Sequence, residues 1–113
     1  MSGVLKIEPL AGELSGLEAD IGLVYKFHRE DGFAGPVGAP IASRLAEIVR
    51  VDRFEGGGGR RLLWHAPPGD GLRCRRYLVV GLGNRRDLGL DAFRRYLGDA
   101  LIEADRLGAT SVA

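Results

Sequence analysis

Apolar residues take every second position along one stretch of the first half of the chain. They are Ile21, Leu23, Tyr25 and Phe27. This period of two predicts a strand over residues 19–27, with one face more buried than the other. Short apolar runs bounded by glycine or proline predict further strands at residues 4–10, 61–66 and 76–80. The run at 76–80 has almost no polar interruption, which is typical of a strand buried on both faces.

Two other segments repeat their apolar residues at helical spacing. The first helix is predicted to begin at Pro40, because proline suits the first turn of a helix, and to run for about three turns. Arg50 and Arg53 lie near its end, where positive charge complements the helix dipole. A second helix is predicted over residues 90–107, with Gly108 as its cap. A short strand from residue 110 would then lie parallel to the strand at 76–80.

Length and charge narrow the possible classes of protein. With 113 residues the chain is expected to form one domain, residues 1–113. A net charge of +1 gives no long-range attraction to nucleic acid or to an acidic membrane surface. No apolar run approaches the roughly 20 residues of a membrane span. Since Cys74 is the single cysteine and the opening carries Lys6 and Glu8, a cytoplasmic location is predicted.

The side chains that could carry metal or nucleophilic chemistry are few and scattered. His28, His65 and Cys74 lack the paired spacing of a zinc site, so no metal site is predicted. The acidic candidates Asp31, Asp52, Glu55 and Asp70 are interpreted as solvated loop residues. No serine lies in a G-x-S-x-G turn. Cys74 is flanked by three arginines, which leaves two interpretations open: a reactive thiol of lowered pKa, or an ordinary turn cysteine.

Gly81 and Gly83 follow the strand at 76–80 and come shortly before the second helix, where a phosphate-binding loop would lie. With Arg85 and Arg86 they form the one candidate ligand site. The third glycine of G-x-G-x-x-G is missing, because Arg86 occupies its place. A tight exit from a buried strand is the alternative explanation of the two glycines. The four glycines at 56–59 are interpreted as a flexible hairpin-like link.

The second half of the chain resembles the N-terminal domain of leucyl (cytosol) aminopeptidases. The resemblance rests on an ordered set of segments: R-F-E-G at 53–56, L-L-W-H-A-P-P-G at 62–69, R-Y-L-V-V-G-L-G at 76–83, L-D-A-F-R-R at 90–95 and L-G-A-T-S-V-A at 107–113. It covers roughly residues 40 to 113, whereas residues 1–39 agree only in general layout. No single segment is specific, but their order is.

The resemblance implies a macro-like three-layer α/β sandwich, with a mixed sheet of about five strands and two main helices. In that family the N-terminal domain supports a quaternary assembly, and two divalent metals act in a separate C-terminal domain. The family's N-T-D-A-E-G-R-L segment is not found in this sequence, so no catalytic or metal-binding residue carries over to any position. The chain is expected to lack the last elements of the family's domain, and no cofactor is predicted for it.

Three functions are weighed from these observations. The first is a non-catalytic assembly or interaction domain, which associates with itself or with an aminopeptidase-like partner. The second is a macro-type module that binds a nucleotide or an ADP-ribose-like phosphate ligand at Gly81, Gly83, Arg85 and Arg86. The third, nucleic-acid binding, is known for some members of the resembling family, but the near-neutral charge makes it the weakest of the three.

Overall fold

The fold is given by a computed structural model that describes residues 6–7, 19–35, 37–67 and 71–113. Its elements, in chain order, are β1 (Lys6–Ile7), β2 (Ala19–Lys26), α1 (Ala39–Val51), β3 (Arg61–His65), β4 (Cys74–Gly81), α2 (Leu90–Arg106) and β5 (Ser111–Val112). A short 3₁₀ turn, Arg85–Asp87, links β4 to α2. Most of the predicted strand at 4–10, and the turn that follows it, lie outside the described residues.

The strands form one mixed sheet in the order β1-β5-β2-β4-β3. β1, β5, β2 and β4 run parallel, and β3 pairs antiparallel with β4 at one edge. β5 is parallel to β4, as the crossover through α2 predicts, but β2 lies between them. The α/β class with a mixed sheet and two helices is therefore confirmed.

One helix covers each face of the sheet, which makes three layers. On one face, Ile41 and Leu45 of α1 pack with Val24 and Val79 in a cluster that is almost wholly buried. On the other face, two alanines of α2 pack against alternate strand residues. These buried residues are Ile21, Leu23, Leu78, Val80, Ala100, Ala104 and Val112. The residues of the central strands are divided between the two cores, because successive side chains of a strand point to opposite faces of the sheet.

β2 is buried on both faces, which corrects the expectation that one face is more buried. Gly22, Val24 and Lys26 are as inaccessible as most of the residues between them. β2 is covered on both faces because it lies between β4 and β5, and because a helix packs on each face of the sheet. Gly22 suits this place, since a Cβ there would meet the Tyr77 ring at 2.9 Å. β4 is likewise buried on both faces from Tyr77 onward, as predicted.

The two helices end in the same backbone motif but with different residues. Gly108, at φ +76°, follows α2, and the N–H of Ala109 donates to Ala104 O at 3.0 Å, so the predicted glycine cap is confirmed. After α1, Arg53 takes the corresponding left-handed position at φ +53°. The N–H groups of Arg53 and Phe54 donate to the carbonyls of residues 50 and 49. Neither α1 nor α2 has the length and apolar character of a membrane-spanning helix.

Candidate functional site

The carboxyl ends of β2 and β4 bring most of the candidate residues to one edge of the sheet. The two strands end side by side at Lys26 and Gly81, and the loops that follow remain hydrogen-bonded. Leu82 N donates to Lys26 O at 2.9 Å, and His28 N donates to Gly83 O at 2.8 Å. Open α/β sheets bind their ligands at this edge, so we treat it as the candidate functional site.

Gly81 and Gly83 lie against the glycine run at 56–59. A Cβ on Gly81 would lie 2.2 Å from Gly57 O, so only glycine fits there. The N–H of Gly81 donates to Arg60 O at 2.7 Å, and that of Gly83 donates to Gly56 O at 3.0 Å. Both amides therefore already have acceptors within the protein, and the proposed phosphate contact at these glycines stays a prediction. The run itself packs tightly against β4, unlike the flexible link expected from its composition.

Arg85 is held by an acidic partner and an aromatic ring. Its guanidinium Nη2 donates to Glu30 Oε1 at 2.9 Å, and its Nε donates to Glu30 Oε2 at 3.1 Å. The same group lies 4.0 Å above the centre of the Phe27 ring. The hydrogen bond from Arg85 lowers the pKa of Glu30, and the bond to Glu30 raises the pKa of Arg85. The neighbouring Arg86 is exposed.

His28 joins the two loops at this edge. Its Nδ1 lies 3.3 Å from Asn84 Oδ1, and its Nε2 lies 3.5 Å from Glu55 Oε2. The same Glu55 oxygen is 3.7 Å from Arg29 Nε. His28 thus makes polar contacts on both sides of its ring, with an amide and with a carboxylate. Asp31 and Asp52 are exposed and make no such contact with the described residues, as expected for solvated loop acids.

Lys26 is a buried cation at the end of β2, with 6% of its surface exposed. Its ammonium donates to Phe27 O at 3.4 Å and to Glu30 O. Ammonium has three donors, and the third has no acceptor in the described parts of the chain. No carboxylate there lies within 4.0 Å of the Lys26 ammonium, but the charge of Lys26 adds to that of Arg85 in lowering the pKa of Glu30.

Beside Lys26 a cleft of about 630 Å³ opens between the loop at 29–33 and the end of α1. We call it the Lys26 cleft. Phe33, Val49 and Phe54 provide much of its apolar wall. Its charged lining residues are Lys26, Arg29, Glu30, Asp31, Arg50, Arg53 and Glu55. Arg29 and Arg53 are also the non-glycine residues with positive φ, at 58° and 53°, among those the structure describes.

The opposite, amino edge of the sheet carries a second polar group. Arg76 Nη2 donates to Asp20 Oδ2 at 3.1 Å, and both side chains are mostly buried. Cys74 begins β4 with 2% of its surface exposed, so it is not a turn residue. The open thiol that reactivity requires is therefore absent from this position. His65 and Cys74 line one cleft of about 620 Å³, whereas His28 lies at the other edge.

Within residues 6–7, 19–35, 37–67 and 71–113, no three His, Cys, Asp or Glu side chains converge as metal ligands do. Asp70 lies outside the described residues. Ser43 is exposed on α1, and the Ser111 hydroxyl accepts the N–H of Asp20 at 2.9 Å. The serines at positions 2 and 15 also lie outside the described residues.

Sequence reasoning missed three residues of the carboxyl edge: Lys26, Glu30 and Asn84. Lys26 follows the period-two alternation as a polar position, so nothing marked it as buried. For Arg53 the sequence predicts only an interaction with the helix dipole. The residue that follows the C-cap of a helix is commonly glycine, and an arginine there is a signal that the sequence does contain.

Comparison with known proteins identifies the chain over most of its length. The model of the N-terminal domain of the cytosol aminopeptidase family matches residues 23–113. No curated protein matches the chain. The matched range includes β2 from Leu23 onward and every later element, so it covers both helices and the whole carboxyl edge.

Proposed function

Since the chain belongs to the cytosol aminopeptidase family through the N-terminal domain matched at residues 23–113, we propose that it is an assembly domain and hydrolyses no peptide by itself. The acidic and histidine side chains of the described residues do not converge, so they form no cluster that could hold the two metals of a hydrolase. The buried Cys74 offers no accessible nucleophile.

The observation that carries the proposal is the open edge of β3. This strand pairs only with β4, which leaves one side of its backbone without a neighbouring strand among the described residues. An open strand edge is a template on which another chain can add a strand. The edge is short, and exposed Arg61 and His65 lie at its two ends. The charge of Arg61 limits indiscriminate pairing, and Leu63 is the central residue of the edge.

The hydrogen-bond pattern fixes which residues face outward. Arg60 O accepts from Gly81 N, and Ala66 N donates to Arg75 O. Antiparallel pairs alternate between bonded and non-bonded positions, so even-numbered residues of this stretch bond to β4. The N–H and C=O groups of Arg61, Leu63 and His65 therefore point away from the sheet. A second copy of the chain can pair there about a two-fold axis at Leu63, in the symmetry most common for dimers.

Sedimentation velocity of the whole chain tests this assembly. The chain is measured at concentrations up to about 300 µM, and we expect it to self-associate within that range, as a contact with a micromolar dissociation constant would. Leu63→Pro should abolish it, because proline removes an outward N–H without removing a bond to β4. Arg61→Pro, at the first position of the strand, provides a second variant should Leu63→Pro not fold. Ile102→Lys, on an exposed position of α2, is the matched control and should leave association unchanged.

A monomer across the whole concentration range would overturn the proposed assembly, as would proline variants that associate like the parent chain. The absence of catalysis is tested separately with leucine p-nitroanilide and added Zn²⁺ or Mn²⁺. Turnover that a chelator abolishes would show that the chain is an enzyme after all.

A further inference from the structure

The Lys26 cleft has an excess of positive charge once its internal ion pairs are taken into account. Glu30 is bound by Arg85, which lies outside the cleft lining, and Glu55 contacts His28 and Arg29. The lining residues without an ion-pair partner in the described part of the chain are Lys26, Asp31, Arg50 and Arg53. Three of these are cations and one is an anion.

Lys26 is the one buried residue among these four charges. A buried ammonium loses its hydration, and carbonyl dipoles replace that only in part. Lys26 has two carbonyl acceptors and a third donor without one. A buried cation is ordinarily paired with an anion. Lys26 also lines the cleft, which is large enough for a small molecule.

Arg53 supplies an independent observation. The N–H of Arg53 donates to Arg50 O at 3.2 Å, and the N–H of Phe54 donates to Val49 O at 2.9 Å. This is the helix-terminating motif in which the left-handed residue is usually glycine. An L-residue is disfavoured there relative to glycine, because its Cβ lies too close to the following carbonyl oxygen. At α2 the same position is Gly108, the residue type that this motif favours. At α1 it keeps an arginine that lines the cleft.

The apolar wall defines the remainder of the ligand. Val49 lines the cleft from the last turn of α1, Phe54 from just after the helix and Phe33 from the loop at 29–33, so the cleft combines cations with aromatic and aliphatic surface. Pockets of this kind orient a ligand with a few polar groups and hold its body by apolar contact.

We propose that the Lys26 cleft binds a small organic anion, with its carboxylate or phosphate toward Lys26, Arg50 and Arg53 and its apolar body between Phe33 and Phe54. This site is distinct from the glycine pair and Arg86 at the end of β4, because none of those residues lines the cleft. It is also independent of the assembly through β3, which lies at a sheet edge.

Calorimetric titration of the whole chain with phenyl phosphate and with benzoate tests the proposal and separates the two head groups. We expect at least one of these two anions to bind with a Kd near 1 mM, which is typical of a ligand of this small size. Inorganic phosphate and benzyl alcohol, which carry only the head or only the body, should each bind at least about fivefold more weakly. Failure of both organic anions to bind at about 10 mM would overturn the proposal.

Arg53→Gly is the decisive variant, because its two effects have opposite signs. It should raise Tm by several degrees, since glycine accepts the left-handed backbone. It should also weaken the binding of the organic anion about fivefold through loss of a charged donor. Arg50→Gln should weaken binding similarly, whereas Arg86→Gln is the matched control and should not. Undiminished binding by Arg53→Gly and Arg50→Gln, or a larger effect of Arg86→Gln, would overturn the assignment to this cleft.

Discussion

Arg76 and Asp20 form a mostly buried ion pair, with 3.1 Å between Nη2 and Oδ2, across two adjacent parallel strands. The pair also fastens the end of α2 and the start of β5. Arg76 Nη1 donates to Leu107 O at 3.2 Å, and Asp20 Oδ2 accepts the N–H of Thr110 at 3.1 Å. One charge pair therefore connects β2, β4 and the approach to β5 at the amino edge of the sheet.

Removing one member of this pair should be costly. Asp20→Asn leaves the Arg76 guanidinium largely buried without its counter-charge, and we expect a loss of about 2 kcal/mol in the free energy of unfolding. Urea denaturation measures it. Combining Asp20→Asn with Arg76→Met should cost less than the sum of the single variants, and strict additivity would contradict the coupling. Arg106→Met breaks an exposed i,i+3 pair with Glu103 and should cost less than about 0.5 kcal/mol.

Two glycines should respond to alanine in opposite directions. Gly81→Ala places a Cβ 2.2 Å from Gly57 O, a backbone atom that cannot swing away, so the variant should lose several kcal/mol or fail to fold. Gly98 lies inside α2 with nothing within 4 Å of its Cβ position. Gly98→Ala should therefore stabilise the chain by up to about 1 kcal/mol. Thermal unfolding followed by circular dichroism compares the two, and equal effects would contradict the packing described at Gly81.

Tyr77 should titrate far above an ordinary tyrosine. Burial raises its pKa to about 12 from the ordinary 10.0. The fold therefore favours the neutral phenol, so its contribution to stability is complete below pH 10 and is lost as the pH rises toward 12. Burial also raises the pKa of Tyr25, so absorbance at the phenolate band should show two late titrations, and Tyr77→Phe should remove the one near pH 12. If all tyrosines titrate near their ordinary pKa in the folded protein, the burial of Tyr77 is contradicted.

Tyr77→Phe should also lower stability at neutral pH. The hydroxyl accepts the buried N–H of Cys74 at 3.2 Å, and phenylalanine removes that hydrogen bond. The expected loss is about 0.5–1.5 kcal/mol. The ring itself, which stacks on Trp64 with centroids 6.0 Å apart, is retained in this variant. An unchanged free energy of unfolding at neutral pH would count against the hydrogen bond.

Glu30 and Arg85 should make the carboxyl edge sensitive to acid. The bond from Arg85 lowers the pKa of Glu30 below its ordinary 4.5. A depressed pKa means that the pair stabilises the fold above pH 4.5 and that this contribution is lost as the pH falls through the lower value. Arg85→Gln should return the Glu30 pKa toward 4.5, which carbon-detected NMR of the side-chain carboxyl measures. An unchanged pKa in Arg85→Gln would contradict the ion pair.

The helices and central strands follow from sequence periodicity. The prediction for the strand at 19–27 differs from β2 by one residue, and Pro40 and Gly108 correctly mark a helix start and a helix end. These features are local, since each depends on residues within a few positions of one another. The glycine pair at 81 and 83 was also correctly placed at the exit of a buried strand, the alternative explanation of that motif.

What the sequence could not predict depends on contacts between distant residues. The burial of Lys26 follows from the strand order, which places β2 between two neighbours, and alternation within β2 says nothing of that order. The packing of the 56–59 run follows from Gly81, more than twenty residues away. Arg53 and Phe33 line one cleft although the whole of α1 lies between them in the sequence.

The place of β5 has a consequence for the order in which the molecule forms. β5 lies between β1 and β2, so Lys6 and Ile7 find their partners, Ser111 and Val112, only after about a hundred intervening residues. During synthesis β1 therefore cannot pair with β5 until residues 111–112 have left the ribosome. Because such distant pairings slow folding, closure of this side of the sheet should be the last and slowest step, after β2, β4 and β3 have joined.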